Sequence, residues 1–182
     1  MDRKVYLLFT DTGTIFTRMI KLYTKKPYNH ASISLDNQLR SVYSFGRKNP
    51  SNPFIGGFVK ENLQSNLFQH ASCAIYCCRV SEKQFEETCR YIQKFEEQEQ
   101  DYRYNLLGLF AFLFRINLNR KNCFFCSQFV ATVLMECGIS QIEKPLSLVT
   151  PHDIQELPRF QLIYRGKVVD YFKKRKKLVS GY

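Results

Sequence analysis

Cys126 and His30 are the residues whose types and settings could do nucleophilic chemistry. Cys126 lies in NCFFCSQFVATVLMECG, residues 122–138. There Cys126, Phe129, Val130, Val133, Leu134 and Cys137 recur at three- and four-residue spacing, and Gly138 stands where a glycine stop belongs. The pattern predicts a buried helix with a thiol in its first turn. Unpaired N–H groups and the positive end of the helix dipole favour a thiolate there, the form in which cysteine attacks. The same spacing also suits a small apolar core residue, so periodicity alone leaves both readings open.

His30 opens the stretch YNHASISLDNQLRSVYSFGR. Two strand-like runs flank Asp36-Asn37, which tolerate a tight turn, and predict a hairpin. With a two-residue loop Leu35 pairs with Gln38, which brings His30 opposite Tyr43 and Ser32 opposite Ser41. One face then carries His30, Ser32, Ser41 and Tyr43, a polar set with a hydrogen-bonding group directly across from the imidazole.

The elements that must position these two follow from the rest of the chain. Val5–Phe9 reads as a buried strand, followed by a helix with Ile15, Phe16, Met19, Ile20 and Tyr23 on its apolar face. NPSNPFIGGF, residues 49–58, has the prolines and paired glycines of a mobile loop, either a lid or a plain connection. Cys73–Val80 reads as a strand buried on both faces, with Cys77 and Cys78 as packing residues. Ser81 and Gln84 form a capping box for a helix whose inner face is Phe85, Cys89, Ile92 and Phe95. Tyr104–Phe114 reads as an apolar helix. Phe160–Tyr164 and Val168–Phe172, around Arg165-Gly166-Lys167, read as a closing hairpin. The sum is an α+β domain, helices packed on an antiparallel sheet or partial barrel, over residues 1–172.

Length and charge set the outer limits. A chain of 182 residues buries a single core without staples. Seven cysteines, an odd number placed mostly inside apolar patterns, fit reduced, intracellular usage, and the N-terminus lacks the pattern of a secretory signal. From Arg165 onward seven basic residues face Asp170 alone, so +6 of the chain's net +11 lies there. Residues 173–182 read as a solvated, mobile basic tail able to touch an anionic membrane; aromatics do not interleave with KKRKK, which argues against nucleic acid.

His30 in YNHASI and Cys126 in FFCSQFV resemble the His and Cys of a circularly permuted papain-like hydrolase of the NlpC type, and the wider group that includes the lecithin:retinol acyltransferase relatives, which share the His-then-Cys order. The resemblance covers Val5 through the C-terminal hairpin. It implies Cys126 as nucleophile, His30 as base, and a third polar residue on the strand after His30, where the register puts Tyr43. A phenol orients an imidazole without offsetting its charge as a carboxylate would, so Ser41 and Glu61 stand as alternatives. It also implies a thiol hydrolase of the amidase or peptidase type working through an acyl-enzyme, on a peptide or cell-wall stem-peptide amide, with the backbone N–H of the cysteine serving the oxyanion. Acyl transfer or lipid-ester hydrolysis would use the same residues.

Two other classes compete. Cys123-Phe-Phe-Cys126 is a C-x-x-C ahead of a helix, as in a dithiol oxidoreductase, though far from the N-terminal βαβ setting of that motif. A non-catalytic membrane-docking module is the other, against which stand the intact His30 and Cys126. Adjacent Cys77 and Cys78 lack zinc-ligand spacing, so no metal and no cofactor is expected. His70 and His152 read as surface or capping residues. The expected setting is cytoplasmic, with contact to anionic membrane through the tail.

Overall fold

A computed structural model of the chain describes residues 3–13, 21, 25–49, 52–105, 108, 116–118 and 120–179. The helices expected over 15–23 and 104–114 fall largely outside them. The fold is α+β. Six strands, β1 (Arg3–Asp11), β2 (His30–Ser34), β3 (Val42–Asn49), β4 (Asn52–Glu61), β5 (Ser72–Val80) and β8 (Gln161–Lys167), form one antiparallel sheet in the order β4-β3-β2-β1-β5-β8. A short parallel pair, β6 (Arg103–Tyr104) and β7 (Cys123–Phe124), forms a separate ladder that packs on β4. Among the described residues the α-helices with both ends in view are α1 (Glu82–Glu97), α2 (Cys126–Glu136), α3 (Pro151–Gln155) and α4 (Val168–Val179).

The run VYLLF in β1 is apolar without alternation because the sheet is covered on both faces. Val5, Leu7 and Phe9 join Ile33, Phe45, Phe58 and the inner faces of α1 and α2. Tyr6 and Leu8 join a second core with Val42, Leu63, Phe68, Val168 and Tyr171. The first core is largely aromatic. Phe129 of α2 lies 5.2 Å from both Phe45 and Phe95, and 5.6 Å from Phe58, ring centroid to ring centroid. Each such fully buried ring contributes roughly 1.5–3 kcal/mol, and together they fix α2 against β3 and β4.

Helix punctuation follows the sequence closely. Ser81 accepts from the Gln84 N–H while the Gln84 side chain accepts from the Ser81 N–H, closing the predicted capping box of α1. Thr150 and Asp153 do the same for α3, which holds His152; His70 is exposed. At the other end of α2, Gly138 takes φ 62°, its N–H donates to the Met135 carbonyl, and the Ile139 N–H reaches back to Leu134 O at 2.8 Å. This left-handed stop positions Ile139 in the core.

Four expectations need correction. The β2–β3 connection is not a two-residue turn. Ile33 pairs with Tyr43 and Ser34 with Val42, which leaves residues 35–41 as loop. The Asp36 carboxylate gathers that loop, accepting N–H groups of Gln38, Ser41 and Arg40 at 2.9, 3.1 and 3.2 Å, while Leu39, at φ 54°, turns into the second core. Burial of Leu39 and the multiple bonds to Asp36 outweigh the shorter loop.

Residues 49–58 are mostly strand: Gly56 and Gly57 lie in β4, opposite Arg47 and Gly46. Their glycines serve close approach, since a Cβ on Gly56 would stand 2.7 Å from the Gly46 carbonyl oxygen and 2.8 Å from Tyr104 Cβ. The closing hairpin is instead β8 followed by α4. Val168 and Tyr171, three apart, are the buried pair of VVDYF, a helical spacing in a run too short to declare its period. The basic run accordingly continues this helix through Val179.

Candidate active site

α2 begins at Cys126, its preceding residue Phe125 is extended, and no side chain caps the helix. The first intrahelical bond runs from the Phe129 N–H to the Phe125 carbonyl at 3.0 Å, so the N–H groups of the first turn are not used by the helix itself. Every residue from Cys126 to Leu134 is buried, and the Ser127 hydroxyl donates to Val149 O at 2.7 Å, tying the helix start to the segment ahead of α3. An apolar helix with an open positive end points at β2, against which it packs.

His30 is the first residue of β2, paired with Thr10 of β1. Among the described residues the β2–β3 ladder consists of Ile33–Tyr43 and Ser34–Val42, and closer to His30 the hydroxyl of Ser44 spans to Ala31 O at 2.7 Å. Gly46 flanks the imidazole: a Cβ there would lie 3.9 Å from His30 Cε1. Along β4 and β3, Glu61 pairs with Val42, which pairs with Ser34, so strand alternation gives Glu61 the same face as Ser34, Ser32 and His30. Its carboxylate meets His30 Nε2 at 2.5 Å through Oε1 and accepts the Ser32 hydroxyl at 2.7 Å through Oε2. The Glu61 side chain is 7 % exposed and that of His30 17 %.

The imidazole also hydrogen-bonds the Cys126 sulfur. With Nε2 on Glu61, Nδ1 is the nitrogen left for the thiol. Burial on its own would lower the pKa of His30, but the charges of Glu61 and Cys126 and the hydrogen bonds to both outweigh it and hold the ring well above its ordinary value. Burial would likewise raise the Cys126 thiol. The His30 imidazolium, its hydrogen bond, and backbone hydrogen bonds from Ala31 and Ser127 bring it below the ordinary thiol range instead. The two directions agree, and both favour the thiolate–imidazolium form of the pair.

Cys126 differs in this from its neighbours. Burial pushes Cys73 up to about 12 and also raises Cys78, Cys89 and Cys137. All seven cysteines are free thiols; Cys123 of the C-x-x-C is buried in β7.

Of the three residues expected to act together, the structure brings together Cys126 and His30 and removes Tyr43. The register sits three residues further along than the short turn required. An odd slip reverses every side chain, so Tyr43 joins the helix-covered core, stacked on Phe58 at 5.9 Å with its hydroxyl 3.5 Å from Glu96 Oε2. Ser41 belongs to the loop gathered by Asp36. Glu61, the remaining alternative, is the residue on His30. Sequence reasoning noted Ser32 on the histidine face but not its bond to Glu61, and it missed Gly46 and the Ala31 backbone at the sulfur. The usable signal was an acidic residue closing β4, three positions after Phe58, whose register could be counted only with β3 in place.

No protein family, curated protein or solved structure matches the chain.

Proposed function

We propose that the protein is a cysteine hydrolase of the amidase or peptidase type, with Cys126 as nucleophile, His30 as base and acid, and Glu61 as the carboxylate that orients and charges the imidazole. The observation that carries this is the placement of one imidazole between a buried carboxylate and a thiol at an uncapped helix N-terminus. A His strand that precedes the Cys helix, with that helix packed on an antiparallel sheet, supports a permuted papain-like fold of the NlpC type.

In this mechanism the Cys126 thiolate attacks the carbonyl carbon of an acyl compound, and a C–S bond forms as the carbonyl electrons move to oxygen. Backbone N–H groups of the first turn of α2, that of Cys126 foremost, receive the oxyanion. His30 passes its proton to the leaving nitrogen or oxygen as that bond breaks. The ring, now neutral and held by Glu61, takes a proton from water, which attacks the thioester and returns the free thiolate and a carboxylic acid. An acyl acceptor in place of water turns the same second half into transfer. A peptide or stem-peptide amide is the substrate class favoured here, with lipid esters sharing the first half of the cycle. No step calls for a metal or cofactor.

The test is trapping of the acyl-enzyme. With an activated ester such as p-nitrophenyl acetate and an acid quench, mass spectrometry should find the acyl group on Cys126. The adduct should be absent from Cys126→Ala, and in wild type its level should fall when an added amine acceptor takes the acyl group in competition with water. Acylation at another residue, or turnover that survives Cys126→Ala, would overturn the assignment.

A further inference from the structure

On the face of the sheet away from α2, the chain between β4 and β5 and the helix α4 enclose a half-open groove of about 300 Å³. Its apolar lining is Leu63, Phe68, Val169 and Phe172, and its cationic lining is Lys173 and Lys176, with no acidic residue contributing. The helix is built for this division. Val168 and Tyr171, 2 % and 6 % exposed, anchor it, with the Tyr171 hydroxyl donating to Asn37 O at 2.7 Å. The adjoining stripe Val169, Phe172, Lys173, Lys176, at three- and four-residue spacing, forms the groove wall and passes from apolar to cationic along the axis. Lys174 is exposed beside it, whereas Arg175 turns back to hydrogen-bond Tyr171. Asp170, 3.8 Å from Lys173, is the one acidic residue of the helix. Opposite, Leu67 is 38 % exposed next to the buried Phe68.

We propose that this groove and the basic stripe of α4 dock the protein on an anionic lipid bilayer, with Leu67 entering the acyl boundary and Lys173, Lys174 and Lys176 at the headgroups. Charge complementarity selects the occupant. A single fatty acid needs one cation, while Lys173, Lys174 and Lys176 present three along one stretch of α4, as a surface of several anionic headgroups requires. Among the described residues no helix is long and apolar enough to cross a membrane, so the contact is peripheral. The groove wall starts two residues after Glu61, which places the lipid surface near the strand end that holds the His30 carboxylate. The proposal stands apart from the catalytic reading, because none of the docking residues touches His30, Cys126 or Glu61.

The full chain is tested by co-sedimentation with vesicles of phosphatidylcholine alone and of phosphatidylcholine mixed with phosphatidylglycerol. Binding is expected only to the anionic vesicles and should fall with salt. Lys173→Gln and Lys176→Gln should each weaken it about fivefold and together about 30-fold, with the thermal unfolding midpoint unchanged. The chain has no tryptophan, so Leu67→Trp is a unique reporter whose emission should shift to the blue on anionic vesicles. Equal binding to neutral vesicles, an unweakened double variant, or an unshifted emission would overturn the proposal. So would tight uptake of free oleate without vesicle binding.

Discussion

Replacing Glu61 by Gln removes one charge from the site with little change of shape: the amide oxygen can still accept from His30 Nε2–H, while the amide NH2, standing where Oε2 was, donates to the Ser32 hydroxyl instead of accepting from it. In the native site the carboxylate meets Nε2 at 2.5 Å in a pocket where Glu61 is 7 % and His30 17 % exposed. Unit charges with centres about 4 Å apart interact by ~4 kcal/mol at an effective dielectric of 20 and by ~1 kcal/mol in water. The partial exposure of the ring places this pair between those limits, at about 2 kcal/mol. The sign is fixed by which form the carboxylate favours. Glu61 stabilises the imidazolium, so its loss must lower the His30 pKa and bring down the pH at which the thiolate–imidazolium pair loses its proton. The assay is an NMR titration of the imidazole ring signals. The chain has three histidines, so His30 is readily assigned, and His70 and His152 serve as internal references. A clear downward shift of the His30 curve is expected for Glu61→Gln. Tyr43→Phe, which removes a hydroxyl that faces Glu96, should leave the curve in place. A His30 curve that moves by less than about 0.3 unit in Glu61→Gln would refute the reasoning that this carboxylate charges the imidazole.

Two further perturbations test the parts around this pair. Alkylation of Cys126 by iodoacetamide should begin below the pH range of an ordinary thiol, and His30→Ala should move that onset upward past the ordinary range, because burial remains after the imidazolium is gone. Peptide mapping should find Cys126, not Cys123, as the residue labelled in the native protein. An added Cβ in Gly56→Ala would stand 2.7 Å from a backbone oxygen and 2.8 Å from Tyr104 Cβ, so urea unfolding should show a loss of about 1–3 kcal/mol. Gly46→Ala, whose Cβ meets nothing closer than 3.6 Å, should cost clearly less by the same measure.

What the sequence determined by itself is local. The α2 helix was legible from the spacing of Phe129, Val130, Val133 and Leu134 and from Gly138, because helical periodicity and a left-handed stop are encoded within one turn of each other. The capping box of α1 and the double-sided burial of β1 were legible for the same reason. So were the two residues that meet at the site, since a thiol at a helix start and a histidine on a strand stand out by type and position. The third partner was not. Whether Tyr43 or Glu61 reaches His30 depends on the register of β2 on β3, and that register is set by Leu39 finding the second core and by Asp36 gathering three N–H groups. Neither event has a signature in the neighbouring letters that outcompetes the Asp-Asn turn signal. Glu61 then arrives from a further strand, through pairing of Val42 with residues 19 positions away. Likewise VVDYF, expected as a strand of the closing hairpin, is a helix whose Tyr171 reaches Asn37, more than a hundred residues distant in the chain. Local patterns mark the strongly periodic elements and the side chains whose types suit chemistry; the register and packing that bring a carboxylate to an imidazole are long-range outcomes, decided where buried area and satisfied hydrogen bonds are summed over the whole sheet.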